Sequence, residues 1–137
     1  MIMESNVLKT LKKAIEDRRC LAVRYRGQQG VRVIEPHVAY TNDAGEFVVD
    51  CYQIRGFSAS GRRPPFWKRL RLKHIVAVSV LKQVFEPRLL EGFSAKKPRY
   101  RRGLLAIVET DKPSFMYSPQ ALREMGPFLP EDMRKYH

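Results

Sequence analysis

The apolar residues of this chain change their period once, at Cys20, and that change limits the architectures open to it. Before it, Val7, Leu8, Leu11, Ala14 and Ile15 recur at helical spacing, while Lys9, Lys12, Lys13 and Glu16 occupy the opposite face. Ser5 is the expected N-cap, and the helix is expected to end near Arg18. After Cys20, Leu21, Val23 and Tyr25 alternate with Ala22, Arg24 and Arg26, the period of a half-buried strand. The helix needs a partner for its apolar stripe, and the edge or end of the following sheet is preferred to a membrane.

Tight turns then divide the chain. Gly27-Gln28-Gln29-Gly30 has hairpin composition, and Val31 to Thr41 reads as a second strand. Pro36 has no amide hydrogen to give to a ladder, so it belongs at an edge or a bulge. Asn42-Asp43-Ala44-Gly45 forms the next turn and Glu46 to Ile54 the third strand. Gly56 to Pro65 has loop composition, and Phe66 to Leu72 and Ile75 to Leu81 are the fourth and fifth strands. In the last of these Val76, Val78 and Val80 alternate against Ala77, Ser79 and Leu81.

Beyond Phe85-Glu86-Pro87 the pattern weakens. Lys96 to Gly103 reads as a basic linker and Leu104 to Val108 as one more strand. Ser118-Pro119 is a helix start and Gly126-Pro127 a matching stop. The expected architecture is mainly β with flanking helices. It is a small, partly open β-barrel after an N-terminal helix over residues 1–87, followed by an irregular extension over 88–137.

Charge narrows the partners. The 137 residues carry 26 Lys+Arg against 14 Asp+Glu, a net charge of +12, enough to attract polyanions over a long range. Between Asp50 and Glu86 there is no acidic residue, yet Arg55, Arg62, Arg63, Lys68, Arg69, Arg71, Lys73 and Lys82 fall there. A second cluster follows in Lys96, Lys97, Arg99, Arg101 and Arg102. No apolar run nears the roughly 18 residues that cross a bilayer, and the N-terminus lacks the order of a secretory signal. Cys20 and Cys51 lie in apolar strands and read as buried free thiols, so a reducing, cytoplasmic location without membrane contact is expected.

Strand alternation puts Trp67, Arg69, Arg71 and Lys73 on one face, and Lys68, Leu70, Leu72 and His74 on the other. With Leu70 and Leu72 in the core, one indole and three cations line the exposed face. Cations neutralise phosphates, and an aromatic ring gives a base a stacking surface worth roughly 1–3 kcal/mol. Arg62 and Arg63, in the adjoining loop, are placed to close over such a ligand. The competing reading is that the cations protect an exposed edge and Trp67 caps a barrel end.

These landmarks together resemble the WYL domain of bacterial transcriptional regulators. The resemblance runs from about Leu11 to Pro87. It is carried by Ala14-Ile15, Val23-Arg24-Tyr25, Arg32-Val33-Ile34-Glu35-Pro36-His37, Gly45-Glu46-Phe47-Val48-Val49, Lys68-Arg69-Leu70-Arg71-Leu72-Lys73-His74-Ile75 and Phe85-Glu86-Pro87. Phe47-Val48-Val49 stands where the family has Trp-Tyr-Leu. Lys68, Leu70, Lys73 and His74 stand where its basic motif has Arg, Phe, Asp and Arg, while Arg71 keeps the central arginine. The resemblance implies an SH3-like or Sm-like barrel that senses a ligand, in several members a nucleic acid or nucleotide, couples it to transcription, and commonly dimerises. Too few residues precede Leu11 for the usual helix-turn-helix, so a free-standing sensor, an accessory to a separate DNA-binding regulator, or a direct nucleic-acid binder is expected.

The expected ligand contacts are Arg71, Arg69, Trp67, Arg32 and Tyr25, with Lys73, His74, Arg62 and Arg63 around them. No metal site, cofactor or catalytic group is expected. His37, His74 and His137 are scattered, and no glycine-rich loop leads from a strand into a helix. Cys51, beside Asp50 and with His37 on the adjacent strand, reads as a structural thiol rather than a nucleophile. Tyr100, among Arg99, Arg101 and Arg102, either extends a nucleic-acid track or belongs to a solvated linker. The alternative to ligand sensing is a protein-interaction or homodimerisation module.

Overall fold

A computed structural model describes residues 2–110 of the chain. It consists of α1 (Ile2–Asp17), β1 (Arg19–Tyr25), β2 (Val31–Thr41), β3 (Phe47–Gly56), β4 (Phe66–Arg71), β5 (Ile75–Val84) and β6 (Leu104–Ile107). Six strands form one antiparallel sheet in the order β4-β3-β2-β1-β5, with β6 against β2. The edge strands β4 and β5 are consecutive through a single 3-10 turn, Leu72–His74, but no ladder joins them, so the sheet is open. The helix expected between Ser118 and Gly126 lies outside the described residues.

β2 organises the sheet. One edge pairs with β3 from Arg32 to Thr41; the other pairs first with β1, through Ile34, and then with β6, from Val38. The changeover falls at Pro36, where the β2–β3 register shifts between Pro36 and Val38. Proline leaves one donor missing from a ladder, and a bulge absorbs that gap.

The helix continues upstream of Ser5, which therefore lies inside α1 and is not its cap. The apolar stripe marks where the helix meets the sheet, not where its backbone begins. Arg18, at φ 53, adopts the left-handed conformation that ends the helix, and its carbonyl accepts a bond from the Phe85 amide at 2.9 Å.

Two apolar clusters hold the sheet. Leu11 and Ala14 of α1 pack with Leu21, Val23, Ile34, Val49, Leu70 and Leu72 on one side. On the other, Val38, Tyr40 and Val48 pack with Phe85, Phe93 and Tyr100. Each fully buried Leu or Val contributes roughly 1.5–3 kcal/mol.

The second cluster corrects the reading of Lys96 to Gly103 as a linker. Phe93 and Tyr100 are buried, and β6 follows directly, so packing runs without a break through Pro87. Their signal is weak because two aromatic anchors among polar and basic residues are too few to establish a strand or helix period. β5 also differs from expectation. Its partly or fully buried residues are Ile75, Val78, Leu81 and Val84, leaving Val76 and Val80 at 39% and 44% exposure. Register shifts against β1 near both ends of the pairing break simple alternation.

Candidate anion-binding site

β2 holds Arg32 on the same side as Ile34, between Val23 of β1 and Gly56 of β3. Its side chain is buried, yet no carboxylate among the described residues lies within ion-pair distance. Nη1 donates to Gln53 Oε1 at 2.8 Å and Nη2 to Gln28 Oε1 at 2.9 Å, while Nε has no hydrogen-bond partner. The Tyr25 and Phe57 rings flank the guanidinium at 6.0 and 5.7 Å. Burial lowers its pKa from the ordinary arginine value, because the charged form is poorly solvated.

Local backbone geometry builds this pocket. Gly56 takes φ +99, letting the chain turn so that the Phe57 amide donates to the Val31 carbonyl at 2.9 Å. The Gln53 amide nitrogen donates to the Phe57 carbonyl at 2.8 Å, which leaves its oxygen for Arg32. Arg32, Ser58, Ser60, Arg62 and Lys68 line a cavity of about 210 Å³. A buried cation held only by neutral amides is costly, and an entering anion would supply the missing charge.

The remaining expected contacts do not form one row. β4 ends at Arg71, and the 3-10 turn carries Lys73 and His74 out of the strand's alternation. Arg71 Nε and Lys73 Nζ both face Glu46, at 3.6 and 2.6 Å, so that carboxylate offsets part of their charge. The Arg71 backbone amide donates to the Tyr25 hydroxyl at 2.8 Å, and His74 meets the Tyr25 ring edge-on at 5.5 Å. Solvent loss and the neighbouring Arg26, Lys73 and Arg71 cations depress the His74 pKa. Arg62 lies over the Phe66 ring at 5.2 Å, and Arg63 is exposed in the loop.

Trp67 is half-buried, not a free stacking platform. Its indole N–H donates to the Glu91 carbonyl at 2.8 Å, and its ring contacts His37, Tyr52 and Phe93 at centroid distances of 4.9, 5.1 and 6.3 Å. Alternation assigns the correct sheet face but says nothing of the segment folding over it. Leu70 and Leu72 do point into the core.

Asp50 is the group the sequence hides. Its Oδ1 accepts from the Tyr40 hydroxyl and Arg69 Nε, both at 3.0 Å. Its Oδ2 accepts from the Tyr100 hydroxyl at 2.8 Å and from Arg99 Nε and Nη2 at 3.2 and 3.0 Å. Burial pushes the carboxyl pKa up, but the bonds from Arg69, Tyr100 and Arg99 outweigh it and hold it below the ordinary value. Beside Asp50 lies a second cavity, of about 310 Å³, bounded by β4 and residues 93–100. Trp67 and Lys68 line both cavities.

A further buried carboxylate, Glu35, receives Arg88 Nε and Nη2 at 2.8 and 2.9 Å. His37 contacts the Glu35 carbonyl through Nδ1 at 2.8 Å and accepts the Arg88 amide at Nε2 at 3.1 Å, which makes Nδ1 the protonated nitrogen. Cys51 is fully buried, its thiol touches the Lys68 carbonyl at 3.4 Å, and burial raises its pKa. That environment suits a packed thiol and not a nucleophile. Among the described residues no group of three His, Cys, Asp or Glu side chains is placed to hold a metal, and no helix is long and apolar enough to cross a membrane.

Comparison with protein families, with curated proteins and with solved structures yields no match.

Proposed function

We propose that this chain is a WYL-like regulatory sensor, its sheet corresponding to the family's partly open SH3-like barrel. It binds an anionic ligand, single-stranded nucleic acid or a nucleotide, and links it to transcription. The observation that carries the reading is Arg32, a buried guanidinium without a counter-charge in a cavity shared with Arg62 and Lys68. Trp67, Arg69 and Arg71 continue the cationic strand beside it, and Tyr25 braces Arg32 and Arg71 from beneath. Phosphate is the fitting anion, since guanidinium forks and an ammonium recognise its oxygens directly.

Titration of labelled single-stranded DNA and RNA at several salt concentrations tests this. Binding should weaken steeply with salt, and Arg62→Ala with Lys68→Ala, both exposed, should lower affinity at least tenfold. Absence of binding at low salt, or indifference to both substitutions, removes the reading.

A second reading rests on a separate observation. β5 is an edge strand, and Val76 and Val80 on it are exposed, as is Val31 at 48%. An unpaired apolar edge favours docking of a second copy of the chain or of a regulator. It predicts an assembly that persists in high salt and is lost in Val80→Lys.

A further inference from the structure

The cavity between β4 and residues 93–100 differs chemically from the Arg32 pocket. It is lined by Asp50, Trp67, Lys68, Arg69, Phe93, Lys97, Arg99 and Tyr100, four cations and three aromatic rings against one carboxylate. That carboxylate is already occupied by two tyrosine hydroxyls and two guanidinium groups. Its role toward the cavity is therefore positional. Asp50 grips Arg69 through Nε and Arg99 through Nε and Nη2, fixing two guanidinium groups whose side chains remain 48% and 44% exposed. Cations fixed before a ligand arrives lose little freedom on binding it.

The opposing wall is also fixed. Phe93 and Tyr100 of that wall are buried, and the stretch leading into it is anchored outside the cavity, where Arg88 meets Glu35 and Trp67 donates to the Glu91 carbonyl. The cavity is near the small end of small-molecule sites, which span roughly 300–1,000 Å³, a size for one nucleotide unit and not for a strand. Aromatic surface from Trp67 beside Arg69, Arg99, Lys97 and Lys68 suits a planar base joined to a phosphate.

We infer that this cavity is a second site, for a nucleoside monophosphate group, with Arg99 and Lys97 receiving the phosphate and Trp67 contacting the base. It does not depend on the Arg32 pocket binding anything. Such a group occurs as a free nucleotide or as the 5′ end of a strand.

The chain's single tryptophan reports the site directly. Adenosine 5′-monophosphate, titrated into the full chain, should change Trp67 fluorescence and give a calorimetric binding isotherm. Adenosine and ribose 5-phosphate should each bind at least tenfold more weakly. Lys97→Ala and Arg99→Lys should each weaken the nucleotide at least tenfold, and Lys82→Ala, an exposed cation of β5 outside both cavities, should leave it unchanged. The structural bond of Lys97 is made by its backbone carbonyl, which accepts the Tyr100 amide at 3.1 Å and is kept in the alanine variant, so that variant keeps the test valid if Arg99→Lys unfolds. Competition by a 5′-phosphorylated oligonucleotide but not by its 5′-hydroxyl form identifies a strand end as the source; competition by neither identifies the free nucleotide. No binding, or wild-type affinity in Lys97→Ala, overturns the inference. A loss in Arg62→Ala with none in Lys97→Ala also overturns it and moves the nucleotide to the Arg32 cavity.

Discussion

The hydroxyl of Tyr100 donates to Asp50 Oδ2 at 2.8 Å across a sequence separation of 50 residues. That bond fastens the segment after β5 to the middle of β3, where two guanidinium groups and a second tyrosine complete the coordination of the carboxylate. Residues 93–100 are thus a wall of the sheet's second face and help form a cavity there.

Removing that donor tests how tightly the wall is held. Tyr100→Phe should keep the ring packing and lower stability by about 1.5–3 kcal/mol, the range for a bond to a charged group. Urea denaturation checks this; an unchanged midpoint would show that the remaining donors compensate.

Asp50 should also shape the acid limb of the stability curve. Its folded pKa lies below the ordinary value, so its contribution is complete above the unfolded carboxyl value of about 4 and fades as pH falls through the folded one. Asp50→Asn should be less stable than wild type at pH 7, and the gap should narrow below about pH 4. Melting curves from pH 7 to 2 test it, and a constant gap would speak against the assignment.

His37 should act in a higher window. Burial lowers its pKa to about 4, with the Arg88 cation adding to the shift against the Glu35 bond and Asp50, while in the unfolded chain it protonates near 6.5. As pH drops from 6.5 toward 4 the unfolded chain alone takes up this proton, so stability falls by at most about 1.4 kcal/mol per pH unit. Histidine NMR should show a neutral ring protonated at Nδ1 at pH 6. A His37 resonance titrating near 6.5 would refute it.

Arg88→Ala should cost about 3 kcal/mol, because Glu35, only 3% exposed, would keep its charge without its two-point partner. The double variant Arg88→Met with Glu35→Gln should recover part of the loss. Equal loss in single and double variants would mean that the pair is not coupled.

Gly56→Ala should cost about 1–3 kcal/mol and loosen the loop over Arg32, since a Cβ at φ +99 would run into the Val31 carbonyl. Thermal unfolding tests the first part, and proteolytic susceptibility between Phe57 and Pro65 the second.

Alternation made β1 legible around Leu21 and Val23, whereas β2 and β3 run buried from Ile34 to Tyr40 and from Val48 to Cys51 and were legible through their β-forming residues and the turns that bound them. Pro36 announced its bulge for the same reason: a missing donor has few places in a ladder. Asp50 was opaque because its partners stand 10, 19, 49 and 50 residues away, and no local spacing encodes them. Trp67 was half legible. Its neighbours fixed its face, but its burial depends on Glu91 and Phe93, in a stretch too short and irregular to predict. Arg32 stood out only through the family resemblance, since one arginine among many gives no sign that it lacks an acid.

The divided edge of β2 sets an order of events during synthesis. β1 is made before β2, and β3 directly after it, but β6 reaches the ribosome exit more than sixty residues behind the edge it covers. Until Ile107 emerges, the stretch from Val38 to Tyr40 offers unpaired amides and carbonyls to any other extended chain. A nascent chain stalled in that interval is a template for mispairing, and arrival of Leu104 to Ile107 closes it.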